Sequence, residues 1–119
     1  MAPCPAIAAL VVALTCSAPV ERVVHGDTFK ATFGGELHSV RVGGIDTPER
    51  GERGFAEAAK AAERAFEGRT VTLTIGGARS RRNGLCAGHA VTDRYGRVLA
   101  RVDGWPATVR RWDKGPWCR

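Results

Sequence analysis

Hydrophobic periodicity constrains this chain most: several short stretches repeat with the period of a strand, and only one repeats with the period of a helix. In Thr28–Phe33, Phe29, Ala31 and Phe33 alternate with polar neighbours, the pattern of a half-buried strand. Gly34-Gly35 follows, a two-residue hairpin signal. A return strand over about 38–42 sets Val40 and Val42 on one face and Arg41 on the other. Thr70–Ile75 alternates again, with Val71, Leu73 and Ile75 turned inward, and a further strand is expected at Val98–Val102. The helix is expected over 55–67, where Phe55, Ala59, Ala62 and Phe66 share one face and Gly68 is placed to cap the end.

A chain of 119 residues has room for one domain. Strands wrapped around one helix at that size predict an α+β, mainly β fold, a five-stranded β-barrel of the OB type. The count of 15 Gly fits short strands joined by tight turns. A net charge of +6 favours a polyanionic partner, either nucleic acid or an anionic membrane surface.

The first twenty residues read differently. They carry no charged side chain, and 6–14 (AIAALVVAL) is a continuous apolar run, too short to span a bilayer but as long as the core of a signal peptide. Ser17 and Ala18 are small, as a signal peptidase prefers. Residues 1–18 are therefore expected to be a leader, with a domain over 20–119 and a protein exported to the periplasm or medium, without stable membrane insertion after processing. The alternative is a buried first strand or an uncleaved anchor.

Acidic and basic residues gather at the strand ends: Asp27 with Thr28, Arg41, the run Asp46-Thr47-Pro48-Glu49, and Asp93-Arg94-Tyr95-Gly96-Arg97. Carboxylates on separate segments, without a His or Cys pair beside them, suit a hard cation held through oxygen. Arginines near such a cation can grip a phosphate in bidentate fashion, and a further carboxylate can activate water. Together these parts describe metal-assisted phosphodiester hydrolysis.

Three segments carry a more specific likeness: Val24-His25-Gly26-Asp27-Thr28-Phe29; Val40-Arg41-Val42 with Gly44-Ile45-Asp46-Thr47-Pro48-Glu49; and Asp93-Arg94-Tyr95-Gly96-Arg97-Val98-Leu99-Ala100. In this order, with an Ala-rich helix between the second and third, the chain resembles the staphylococcal nuclease family over about 20–102. The resemblance implies a calcium-dependent endonuclease acting on DNA or RNA as a monomer and leaving 3′-phosphate ends. It implies that Asp27 and Asp46 hold Ca²⁺ through carboxylates and Thr47 through its backbone carbonyl. Glu49 would position or deprotonate the attacking water, and Arg41 and Arg97 would bind the scissile phosphate. Arg94 and Tyr95 would contact the nucleotide.

The chain departs from that family in three ways. His25 stands where an acid commonly precedes the Gly-Asp pair, 78–91 makes a longer connection, and the helix after the last strand is missing. Trp105, Trp112 and Trp117 are expected to cover the barrel where that helix would lie. The rival reading is a catalytically silent OB module that binds nucleic acid without cutting it. Cys86-x-x-His89 lacks a second ligand pair for zinc. The basic residues Arg79, Arg81 and Arg82 fit either a nucleic-acid contact or a solvated loop, and His25 is expected to be a loop residue rather than a ligand. If the leader leaves with Cys4 and Cys16, a Cys86–Cys118 disulfide is expected; Cys16–Cys118 or free thiols are the alternatives.

Overall fold

A computed structural model of the chain describes residues 2–7, 14–43, 45–75, 79–82, 85–89, 92, 95–104, 110–111 and 117–118. Residues 45–46, 79–82, 85–89, 110–111 and 117–118 are described by their backbone alone. The elements are β1 (Leu14–His25), β2 (Thr28–Phe33), β3 (Glu36–Val42), β4 (Ile45–Asp46), α1 (Phe55–Phe66), β5 (Thr70–Ile75), β6 (Arg79–Arg82), β7 (Leu85–His89), β8 (Val98–Val102), β9 (Arg110–Arg111) and β10 (Trp117–Cys118).

Five strands close a barrel in the order β1-β2-β3-β8-β5. Only the β3–β8 contact is parallel, with Val40 opposite Val98 and Val42 opposite Ala100. A parallel neighbour needs a crossover longer than a hairpin, and α1 and β5 lie within that crossover. The mainly β, OB-like architecture expected from periodicity is the one observed. Phe29, Phe33, Val40, Leu73, Ile75 and Val98 fill the interior and are fully buried. The Gly34-Gly35 hairpin turn has φ of 56° and 86°, the left-handed geometry that twists a two-residue hairpin correctly.

Helix α1 lies against β1, burying Ala58 and Ala62. Its C-terminus is tied to that strand. The Glu67 carboxylate accepts the Val23 N–H at 3.0 Å, and Gly68, at φ 76°, donates its N–H to the Val20 carbonyl at 2.9 Å. The helix thus ends where the sequence places its Gly cap.

The N-terminus departs from expectation. The boundary expected between residues 18 and 20 falls inside β1, whose first half pairs with β5 from Leu14 opposite Ile75 to Pro19 opposite Thr70. Cys16, Ala18 and Val20 are buried in the core. The alternative of a buried first strand describes this stretch. Ahead of it, Pro3 bridges Ser17, and the Cys4 N–H donates to the Ser17 carbonyl at 2.8 Å. A Cys4–Cys16 disulfide joins the two segments. In the full chain both cysteines therefore belong to the folded part, and a cut after Ala18 would remove them with the first half of β1. Cys86 and Cys118 sit on β7 and β10, on either side of β6, and their side chains lie outside the described residues.

The region expected as a basic loop over 76–88 contains the β6–β7 pair, which with β10 makes a three-stranded sheet. The side chains of the tryptophans expected to cover the barrel lie outside the described residues. Among the described residues, no helix is long and apolar enough to cross a membrane.

The docked N-terminus meets the hairpin turn at Gly34, which donates its N–H to the Cys4 carbonyl at 3.2 Å. A Cβ on Gly34 would lie 2.5 Å from the Ala6 backbone nitrogen, whereas one on Gly35 would meet nothing within 4 Å. Gly35→Ala is expected to cost about 1 kcal/mol from its backbone conformation. Gly34→Ala is expected to cost roughly 2–4 kcal/mol, because it must also displace the docked segment. Denaturant titrations of the two variants decide this: equal losses mean that residues 2–7 do not pack on the turn.

Candidate functional site

The end of the barrel opposite the Gly34-Gly35 turn carries the acidic and basic residues. Asp27 lies in the turn between β1 and β2, and Thr28 pairs with Arg41 across β2–β3. That register sets the Asp27 carboxylate beside the Arg41 guanidinium, with Oδ2 3.4 Å from Nη2. Thr28 Oγ1 donates to Asp27 Oδ1 at 2.9 Å and holds the other oxygen. Arg41 Nη1 donates to the Val42 carbonyl. Only 8% of the Arg41 side chain and 15% of that of Asp27 are exposed, so water screens this pair weakly.

Arg41 lies on the strand face opposite the core, as the alternation requires, yet it is buried. Leu99, opposite it on β8, is buried too. Period-2 reasoning gives the face but not the burial, since what covers the outer face comes from other segments.

Gly26 brings the second segment in. A Cβ there would lie 2.8 Å from the Ala58 Cβ and 2.9 Å from Thr47 Cγ2. The β1–β2 turn, helix α1 and the segment after β4 therefore meet at a residue with no side chain, and Thr47 is buried there. Gly26→Ala is expected to destabilise the fold by about 1–3 kcal/mol through overpacking and to separate these segments. A thermal melt indistinguishable from wild type contradicts that close approach.

Glu49 follows Thr47 by two residues and is exposed. Its backbone is held on both sides: the Glu49 N–H donates to the Glu52 carboxylate at 2.8 Å, and the Glu52 N–H donates to the Glu49 carbonyl at 2.9 Å. The chain fixes the position of Glu49 while its own carboxylate faces water. Arg97 immediately precedes β8 and is half-buried, next to the register pair Val98–Val40. Its guanidinium carbon lies 5.5 Å from the centre of the exposed Tyr95 ring, a cation–π contact.

The structure thus brings Asp27 and Arg41 together and Thr47 against the adjoining Gly26, and sets Glu49 and Arg97 on other segments. Asp46 lies on β4, directly before Thr47; its side chain, like all of Asp93 and Arg94, lies outside the described residues. His25, expected as a loop residue, ends β1. Its ring packs 5.4 Å from Phe55, and its buried Nδ1 has no hydrogen-bond partner. Its place directly before Gly26-Asp27, ahead of the helix that starts at Phe55, is the one sequence hint of that burial.

No model of a known protein family matches the chain, and no curated protein matches it. Its function has to be read from its own residues.

Proposed function

We propose that the chain is a calcium-dependent phosphodiesterase that cuts DNA or RNA endonucleolytically and leaves 3′-phosphate ends. The observation that carries this reading is the buried Asp27–Arg41 pair at one end of the barrel, with Thr47 against the neighbouring Gly26. It puts an acidic oxygen donor and a phosphate-binding guanidinium side by side.

The donors fit a hard cation. The Asp27 carboxylate and the Thr47 carbonyl supply oxygen only, the ligand type calcium prefers, and Asp46 precedes Thr47 directly. Asp27, Asp46 and Thr47 would hold the ion. Bound there, it supplies Lewis-acid polarisation of a phosphoryl oxygen.

The remaining steps belong to the chain's own side chains. Arg41 and Arg97 bind the non-bridging oxygens and stabilise the charge that builds as water attacks phosphorus. Glu49 orients that water and accepts its proton. The bond from phosphorus to the 5′-oxygen breaks, and the departing oxygen takes up a proton from solvent. Arg94 and Tyr95 contact the nucleotide; the exposed ring of Tyr95 offers a face on which a base can stack. The basic balance of the chain favours the polyanionic substrate. Export is part of the same proposal, and it rests on the uncharged first twenty residues with their apolar run over 6–14.

Incubation of the purified full chain with plasmid DNA and with RNA tests the reading. Cleavage is expected with calcium, to stop in chelator, and to be about tenfold or more slower in magnesium, whose strict octahedron suits a flexible oxygen set poorly. Equal rates in the two metals overturn the calcium assignment. Binding without cleavage in every metal favours the silent module instead.

A further inference from the structure

Two copies of one triplet, Glu49-Arg50-Gly51 and Glu52-Arg53-Gly54, stand between Pro48 and helix α1. Each folds as a turn. The Glu52 N–H donates to the Glu49 carbonyl at 2.9 Å, and the Phe55 N–H donates to the Glu52 carbonyl at 3.3 Å. Gly51 and Gly54 take the third positions of these turns with φ of 91° and 89°, the left-handed conformation that a type II turn requires there. The sequence thus offers two equivalent glutamates, one turn apart, and the structure uses them differently. The Glu52 carboxylate reaches back and accepts the Glu49 N–H at 2.8 Å. Among the described residues, the Glu49 carboxylate has no such partner and is exposed.

Resting on the hydrolase reading, we infer that Glu52 is a positioning residue: by accepting the Glu49 N–H it holds the turn from which Glu49 meets the attacking water. Glu49 needs such a hold. An exposed side chain has no packing to fix it, so the reach of its carboxylate depends on where the backbone sets its Cβ. The two glycines of this loop give that backbone more freedom than any other residue would. Two bonds between Glu49 and Glu52, one through each N–H, close a reciprocal ring like that of a capping box and remove the freedom at Glu49 itself. The loop is fixed on its other side as well. A Cβ on Gly54 would lie 3.3 Å from Pro48 Cγ, so the Pro48 ring sits close to the second turn, and Thr47 before it is buried against Gly26. Glu49 therefore stands between a seated Pro48 and a bonded Glu52. One carboxylate is committed to a backbone N–H, which leaves the other to take a proton.

The test measures kcat and KM of the full-length chain on a short labelled oligonucleotide with calcium present, beside amide exchange at Glu49 by NMR and a thermal melt of each variant. Glu52→Ala is expected to lower kcat about 10- to 100-fold, the cost of a catalytic group displaced by about an ångström, with KM and the melt little changed. Glu52→Gln is expected to stay within about threefold of wild type, because its amide oxygen accepts the same N–H. Glu57→Gln makes the same charge change at an exposed position in the first turn of α1 and is expected to change neither constant. In a Glu49→Ala background, Glu52→Ala is expected to cost nothing further, since it acts through Glu49. Near wild-type kcat in Glu52→Ala overturns the inference. So does a loss that persists in the Glu49→Ala background, which marks a structural or electrostatic role. If Glu52→Ala does not fold, a kcat about tenfold or more below wild type in Glu52→Gln overturns it equally. The Glu49 amide is expected to exchange about tenfold faster in Glu52→Ala and at nearly the wild-type rate in Glu52→Gln. Equal exchange in all three proteins overturns the inference whether or not the chain cuts. A wild-type chain that never cuts, but whose Glu49 amide depends on Glu52, removes the hydrolase reading and leaves the hold of Glu52 on Glu49 standing.

Discussion

Arg97→Ala is expected to slow calcium-dependent cleavage of DNA about 100- to 1000-fold while the barrel stays folded, the usual cost of removing one preorganised charge partner from a transition state. The two halves of that expectation rest on different observations. Stability should hold because Arg97 is only half-buried and precedes β8; the strand's pairing begins at Val98 with β3 and at Ala100 with β5 and does not use its side chain. Its contact with the exposed Tyr95 ring contributes little, about 0.5–1 kcal/mol for an exposed cation–π pair. Rate should fall because Arg41 divides its charge between Asp27 and the phosphate, so it cannot replace a second guanidinium in the transition state. Glu49→Ala is expected to cost a similar factor for a different reason, loss of the group that takes the water's proton. Because both act on one transition state, the double variant should lose much less than the product of the single losses. The measurement is kcat and KM on a defined oligonucleotide, with a thermal melt for each variant. Arg97→Ala that is folded and cuts at near wild-type rate removes Arg97 from the mechanism. A rise in KM with kcat unchanged makes it a substrate-binding residue only.

The sequence disclosed the parts of this fold whose pattern is local. Phe29, Ala31 and Phe33 alternate because β2 is buried on one face, and Val71, Leu73 and Ile75 do the same on β5, so periodicity found both strands at their observed bounds. Helix α1 was legible from one apolar face, a charged opposite face and a Gly just beyond it. β1 was not legible. Its first half adjoins a run of apolar residues without charge, and a strand buried by later segments looks the same in sequence as the core of a leader. The β6–β7 pair was missed because Arg79-Ser80-Arg81-Arg82 has no apolar alternation to report. Yet Asn83-Gly84, lying between those strands in sequence, is a strong hairpin signal and could have found it. The candidate site was legible as residue types at strand ends. Its burial was not, because the cover over Arg41 and the closeness of Gly26 to Ala58 are tertiary facts. The Cys4–Cys16 pair was not legible for the same reason: spacing names candidates, and only the fold brings Cys4 to Cys16.

A chain lacking residues 1–18 is expected to lose the cooperative fold. That truncation removes the half of β1 that pairs with β5 from Leu14 opposite Ile75 to Ala18 opposite Val71. The barrel then opens along β5, whose buried Leu73 and Ile75 lose their cover on that side. Cys4, Cys16 and Ala18 leave the core, along with Ile7 and Leu14 packed against it. Their burial is worth several kcal/mol. The Cys4–Cys16 bridge, with a sequence separation of 12, adds about 3 kcal/mol in the entropic picture. The loss, on the order of 5–10 kcal/mol, rivals the whole stability of a domain of this size. The exposed edge of β5 also invites pairing with other chains, so aggregation should accompany unfolding. Opening the disulfide alone is a milder perturbation. Reduction, or Cys4→Ser with Cys16→Ser, is expected to lower stability by about 3 kcal/mol and leave the strand pairing in place. Circular dichroism melts of the full chain, the cysteine variant and a 19–119 chain distinguish these cases. Cooperative melting of the 19–119 chain within about 5 °C of the full chain shows that the barrel closes without the first half of β1, since a few kcal/mol moves the midpoint of so small a domain further than that. It would also support the expectation that the domain begins near residue 20. Loss of the transition makes a cut after Ala18 incompatible with this barrel.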